Sequence, residues 1–252
     1  MTTLVLGPKP LRPAWTGAVT MGAMTATGDL LETERTKLRR IADRGSFDRE
    51  LAYSILDEGY VAHVGISTER GPVVLPMTYG RVDDALYLHG AVGNALLRSG
   101  TDAQVCATIT LLDGLVLARS AFHHSMNYRC VVLYGTATKV EDESEKLAAL
   151  DAIVDHSLPG RSAEARPSDP SELRTTLVLR LPVVEGSVKV RGHGVADDPD
   201  DMDLPVWAGV VPLRLTPGVP EQDPAQSAQG SRHLPGPDPS RLVRGNGGAR
   251  SR

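Results

Sequence analysis

The stretch from residue 104 to 140, QVCATITLLDGLVLARSAFHHSMNYRCVVLYGTATKV, decides the reading of this chain. Two apolar runs rich in β-branched residues flank a polar connection, Ala118 to Arg129. β-Branched side chains suit the pleated surface of a sheet. Residues 103–112 and 126–140 are therefore predicted strands, the second a long one. Between them lie Arg119, His123, His124, Ser125, Asn127, Tyr128 and Arg129. Strand joins are usually short and rich in Gly and Asn. This one is long and chemically dense, as expected of a ligand site held by rigid strands.

Working outward, Ser46 is the predicted N-cap of a helix in FDRELAYSILDEG, which ends at Gly59. Leu51, Ile55 and the aliphatic part of Tyr53 would face a core. Residues 60–68 and PVVLPMTYG (72–80) form a hairpin through Glu69-Arg70-Gly71. Val82-Asp83-Asp84 turns the chain into ALYLHG (85–90), and a short helix, VGNALLRSG, follows at once. Downstream, EDESEKLAALDAIVDHSLPG (141–160) is the clearest helix. Leu147, Leu150, Val154 and Leu158 recur at three- and four-residue steps, and acidic residues at its start complement the macrodipole. Residues 175–181 and 186–191 read as strands, and VWAGVVPLRL (206–215) closes the sheet. Strands joined mostly by hairpins, with few and segregated helices, indicate a mainly β fold with some α. The expected architecture is an antiparallel barrel of six or so strands.

The 252 residues carry a formal charge of -4 and show no Lys/Arg stripe, which argues against nucleic acid or an anionic membrane as partner. Residues 1–34 read as a disordered leader in which Met21 or Met24, rather than Met1, could be the translation start. Residues 216–252 read as a disordered tail, since their composition cannot bury a core. That leaves one domain, 36–215. Pro8, Pro10 and Pro13 interrupt the N-terminus, so no signal peptide is expected. No apolar run approaches the ~20 residues that span a bilayer. Cys106 and Cys130 lie in apolar runs and read as buried thiols of a cytoplasmic protein, with a disulfide between them as the alternative.

Several residues could do chemistry. His89 ends a strand, and Gly90, Ala91 and Gly93 would let backbone approach a ligand. Gly93-Asn94 opens a helix whose N–H groups suit a phosphate, although such turns also serve as plain connections. His123 and His124 are adjacent and point to opposite faces of an extended chain, so no shared metal site is expected. His63 reads as a core or edge group and His156 as structural, while His193 and His233 carry no signal. Arg119 and Arg129 suit an acidic ligand group or an ordinary ion pair. Lys189 and Arg191 alternate with valines and form a second candidate anion contact. Walker, GxSxG, GxGxxG and CxxC motifs are absent.

The order of PVVLPMTYG, LYLHGAVGNALLR, the 104–140 stretch and EKLAALDAIVDH resembles the pyridoxamine 5′-phosphate oxidase-like flavoproteins over residues 36–215. The nearest likeness is to the flavin-nucleotide-binding and nitroimidazole-resistance branch. The resemblance implies an FMN-binding split barrel working as a homodimer, with FMN between the subunits. By family position, Pro76, Met77, Thr78 and Tyr79 would run along the flavin ring. His89, Gly90 and Ala91 would line the ring or ribityl chain, and Gly93 and Asn94 would take the phosphate. The family's usual hydroxyl and cation are missing at Gly93-Asn94, so Arg98 would assist. Arg129 and Cys130 would face the phosphate or ring, and Lys189, Arg191 and Trp207 would approach late in the chain. The implied function is an FMN-dependent oxidoreductase acting on a small molecule, with Tyr128 or His124 as proton donor. Alternatives are a flavin-storing protein without turnover, or a protein of haem or deazaflavin (F420) with His63, His89, His123 or His124 as axial ligand in the haem case.

Overall fold

The computed structural model describes residues 28–39, 42–224 and 236–242. Ten strands, all paired antiparallel, make one sheet: β1 Gly45–Ser46, β2 Ala62–Thr68, β3 Gly71–Met77, β4 Tyr79–Val82, β5 Ala85–Ala91, β6 Ala103–Leu117, β7 Ser125–Lys139, β8 Thr176–Pro182, β9 Glu185–Arg191 and β10 Gly209–Pro212. That exceeds the six or so expected: β1 is too short to read and the 72–80 stretch divides into β3 and the start of β4, whereas β10 lies inside the 206–215 stretch. The main path runs β3-β2-β6-β7-β8-β5-β4, with β9 beside β7, β1 beside β9 and β10 beside β6. The sheet is open, as in a split barrel. The five α-helices among the described residues are α1 Arg49–Glu58, α2 Ala95–Ser99, α3 Glu143–Ser157, α4 Arg161–Glu164 and α5 Pro170–Thr175.

Alternation builds the core. Successive side chains point to opposite faces of a strand. Val64 and Ile66, Ala107 and Ile109, Val131 and Leu133, and Val188 therefore meet on one face, joined by Leu86, Leu88, Leu179 and Leu181. On the other face of β5, Ala85 and Tyr87 pack under α3. That helix buries Ala149 and Ile153, not the expected Leu147–Leu158 stripe, and Val154 stays exposed. Gly80 supplies the reason. A Cβ there would lie 2.7 Å from the backbone of Ala152 and Ile153, so the helix rides directly on β4.

Helix α1 buries Ala52, Ile55 and Leu56. Its cap is Asp48, whose carboxylate accepts the Leu51 N–H at 3.0 Å, and not Ser46, which belongs to β1. β6 does not stop at Leu112. A bulge between Leu112 and Gly114 carries the strand on to Leu117, so Asp113-Gly114 is an irregularity in the ladder and not a turn. Pairing with β10 from Gly114 to Leu117 holds this extension.

The leader reading fails for its last residues, 28–34. Leu30 is buried and its N–H donates to Phe47 O, Leu31 bridges Glu185, and Thr33 and Arg35 hold the Glu185 carboxylate. Residues 1–27, with Met21 and Met24, lie outside the described residues. The tail reading fails for 236–242. There Arg241 donates to Glu164 and to Pro159 O, and Leu242 O accepts from Tyr60. Residues 225–235 and 243–252 lie outside the described residues. Among the described residues no helix is long and apolar enough to cross a membrane.

Candidate functional site

The connection between β6 and β7 shrinks to residues 118–124, because β7 already begins at Ser125. A single turn, Ala121–His123, is capped by Ser120, whose hydroxyl accepts the Phe122 N–H at 3.2 Å. Two aspartates from the chain after β9 fasten this connection. Asp197, whose side chain is fully buried, accepts the Arg119 backbone N–H and its Nη1. Asp198 lies 3.2 Å from His123 Nε2. Arg119 is thus consumed in an ion pair.

His124 is exposed, and its Nδ1 lies 3.0 Å from Ser120 O. A carbonyl can only accept, so Nδ1 donates to it and Nε2 is the ring nitrogen left for a ligand. Phe122, 89% exposed, and Met126, 48% exposed, flank it in sequence. Tyr128, half-buried, stands opposite Leu112 on β6 and Arg191 on β9.

Arg191 is only 4% exposed. Its Nη1 donates to Asn127 Oδ1 and His193 O, and its Nη2 donates to Gly194 O, while Nε has no partner. Burial and the nearby Arg44 both hold its pKa below the ordinary arginine value. Lys189 lies opposite Cys130, whose thiol is pushed up by burial and pulled back partly by Lys189. Cys130 also pairs with Thr110, four residues along β6 from Cys106, and both thiols are free, which removes the disulfide alternative.

Arg129 is spoken for. Its guanidinium forks onto Glu58 at 2.6 and 2.8 Å and onto Asp113 at 2.9 and 2.8 Å. Together these carboxylates raise its pKa. The bulge at Asp113 and the end of α1 bring the two carboxylates there.

A second group gathers where β5 meets α2. His89 Nδ1 is buried with no partner, and burial lowers its pKa, keeping the ring neutral. Gly90 lets Leu97 approach, since a Cβ there would lie 3.0 Å from Leu97 Cδ2. Ala91, Gly93, Asn94 and Arg98 are exposed. Asn94 Oδ1 accepts the Leu97 N–H at 3.2 Å, so one of the helix donors meant for a phosphate is already bonded. Pro76 and Thr78 are exposed, whereas Met77 packs against the core. Tyr79 is fully buried, donates to Leu56 O at 2.6 Å, and stacks on His156 with centroids 4.3 Å apart. Its side chain cannot lie along a ligand in a cleft. Trp207 is 65% exposed and covers Gly209, where a Cβ would come within 2.8 Å of the indole.

The candidates therefore fall into two groups in one chain. Tyr128, Cys130, Lys189 and Arg191 cluster at the start of β7. The His89 group lies on β5, which reaches β7 only through β8 at Thr138 and Lys139. Measured along β7, Cys130 and Lys139 are about 30 Å apart. Sequence reasoning missed Arg44, Asp197 and Asp198, because short acidic runs and single arginines look like solvated surface. His193 was visible but carried no pattern. Among the described residues no three His, Cys, Asp or Glu side chains gather as a metal site.

Comparison with known proteins agrees with this architecture. No curated protein sequence matches. Among solved structures, the flavocytochrome Anf3 from Azotobacter vinelandii shares 36% identity, covering 82% of this chain and 95% of its own, with a TM-score of 0.75. The FAD and heme binding protein from Mycobacterium smegmatis shares 35%, covering 79% and 96%, with a TM-score of 0.72. Residues 48–190 match the family described as pyridoxamine 5′-phosphate oxidase. With that match spanning more than half of its length, the chain belongs to the pyridoxamine 5′-phosphate oxidase-like family.

Proposed function

We propose that this chain is a flavoprotein that also holds haem, and that it carries out redox chemistry on a small molecule. The flavin half, as FMN or FAD, is supported by family membership and by two similar proteins whose names both state a flavin or a flavocytochrome. The haem half is supported by the same two names, which also state haem or a cytochrome.

One observation in this chain carries the haem reading: the 3.0 Å hydrogen bond between His124 Nδ1 and Ser120 O. An axial histidine must offer a bare ring nitrogen while its other N–H is held by a carbonyl or carboxylate. His124 meets both conditions and is exposed. Phe122 and Met126 supply apolar surface on either side. His89 is half-buried with a buried Nδ1, and His123 Nε2, 3.2 Å from Asp198, is itself buried and so closed to a ligand. Bound flavin would supply one- and two-electron transfer, and bound haem single-electron transfer.

A homodimer is part of this reading. The two candidate groups sit towards opposite ends of β7. A second copy supplies the missing half of each site. Exposed Val74, Leu112, Met126 and Trp207 offer the apolar area such a contact needs. A cytoplasmic location also belongs to it, supported by two thiols that stay free.

Absorbance and mass spectrometry of the purified protein, followed by haem and FMN titration, test the proposal. Flavin bands together with a Soret band, the latter lost in His124→Ala with the flavin retained, are the expected result. A Soret band unchanged in His124→Ala removes this histidine, and no Soret band at all removes haem. Bound flavin without NAD(P)H oxidation marks storage rather than turnover.

A further inference from the structure

Resting on the flavin–haem reading, we propose that Arg44, Arg191 and His193 form a seat for the oxyanion of an acid-bearing cofactor, either a haem propionate or a flavin phosphate.

The other well-buried arginines each have a carboxylate. Arg49 pairs with Asp84, Arg119 with Asp197, and Arg129 with Glu58 and Asp113. Arg191, more buried than any of them, has none within 4.0 Å among the described residues. Its guanidinium is held by one amide oxygen and two carbonyls, which fix its position without neutralising it. Arg44 likewise has no carboxylate partner among the described residues. Its Nη2 lies 3.4 Å from His193 Nε2. His193 Nδ1, 3.1 Å from Gly194 O, must donate to that carbonyl, so Nε2 is the acceptor for Arg44. The ring then holds Arg44 beside Arg191.

Two guanidiniums set together without an acid repel each other and cost free energy. The chain is not short of acids, with 31 Asp and Glu against 27 Lys and Arg. A bound anion resolves the imbalance, and guanidinium forks match carboxylate and phosphate oxygens. Next to Arg191 the chain is open at Gly192 and Gly194, where a Cβ would meet nothing within 4 Å. The position also fits. Asn127, which holds Arg191, is three residues from His124, or about 10 Å along extended chain. A macrocycle centred on His124 would carry its acid groups over that distance.

The test measures affinity of wild type, Arg191→Gln and Arg44→Gln for FMN, riboflavin, haem and haem dimethyl ester. Arg44 is only half-buried, so Arg44→Gln keeps the test informative if Arg191→Gln fails to fold. In wild type the acid-bearing member of one pair should bind about tenfold or more tighter. That gap should shrink at least about fivefold in Arg44→Gln. A gap confined to FMN and riboflavin identifies phosphate, and one confined to haem and its ester identifies propionate. Cofactors that bind with gaps unchanged by either variant overturn the seat and leave the flavin–haem reading intact. If none of the four binds, that reading falls, and the seat falls with it.

Discussion

Replacing Arg129 by Met separates a structural role from the phosphate contact its family position implies. The guanidinium makes four charge-assisted hydrogen bonds to Glu58 and Asp113, and the three side chains are 23%, 21% and 36% exposed. An exposed ion pair is worth about 0–1 kcal/mol, and breaking a buried one costs about 3–5 kcal/mol. Partial exposure puts the lost forks near 1–2 kcal/mol. Removing the cation also leaves two carboxylates facing each other about 6 Å apart, which adds ~1–3 kcal/mol at an effective dielectric of about 20–40. The expected destabilisation is thus about 2–5 kcal/mol, read as a lowered urea midpoint at pH 7. The triple variant Arg129→Met, Glu58→Gln, Asp113→Asn should recover most of that loss, since no unpaired charge remains. An Arg129→Met protein that unfolds at the wild-type urea concentration but binds FMN much more weakly would refute the argument.

Two further outcomes follow from packing and burial. Gly80→Ala should destabilise by about 1–3 kcal/mol in a thermal melt, because its Cβ meets α3 backbone at 2.7 Å and not a movable side chain. Stability equal to wild type would mean that α3 can lift off β4. Tyr87 has its pKa raised from 10.0 to about 12 by burial and by its bond to Glu145. A phenol whose pKa rises on folding stabilises the fold fully below pH 10, and that contribution is lost as pH climbs through about 12. Ultraviolet titration of wild type should contain a tyrosine step near 12 that is missing from Tyr87→Phe, and equal high-pH steps in the two proteins would contradict the burial.

The strands were legible wherever alternation ran long enough to count. The hairpin of β2 and β3 and the long β7 were visible because apolar runs rich in β-branched residues lie between turn residues or polar segments. The end of β6 was not. Asp113-Gly114 has the composition of a turn, and only pairing with Gly209–Pro212, almost a hundred residues later, turns it into a bulge. The helix 143–157 was legible as a helix, but its buried face was not, because Gly80 lets the Ala152–Ile153 backbone lie directly on β4 and turns Ala149 and Ile153 inward. In the candidate site, the histidines were visible as residue types. Which of them has a bare nitrogen depends on the carbonyl of Ser120 and on Asp198, and neither contact leaves a periodic trace. Arg129 looked like a ligand for the same reason: its two acids come from Glu58 and Asp113, far away in sequence.

The clasp of Asp197 on Arg119 ties the start of the histidine-bearing turn to the crossing that follows β9. Ten residues beyond that aspartate sits an indole, Trp207, open to solvent. If the turn shifts, the Asp197 clasp ties this crossing to it, and fluorescence of the exposed indole is the signal in which to look for that shift.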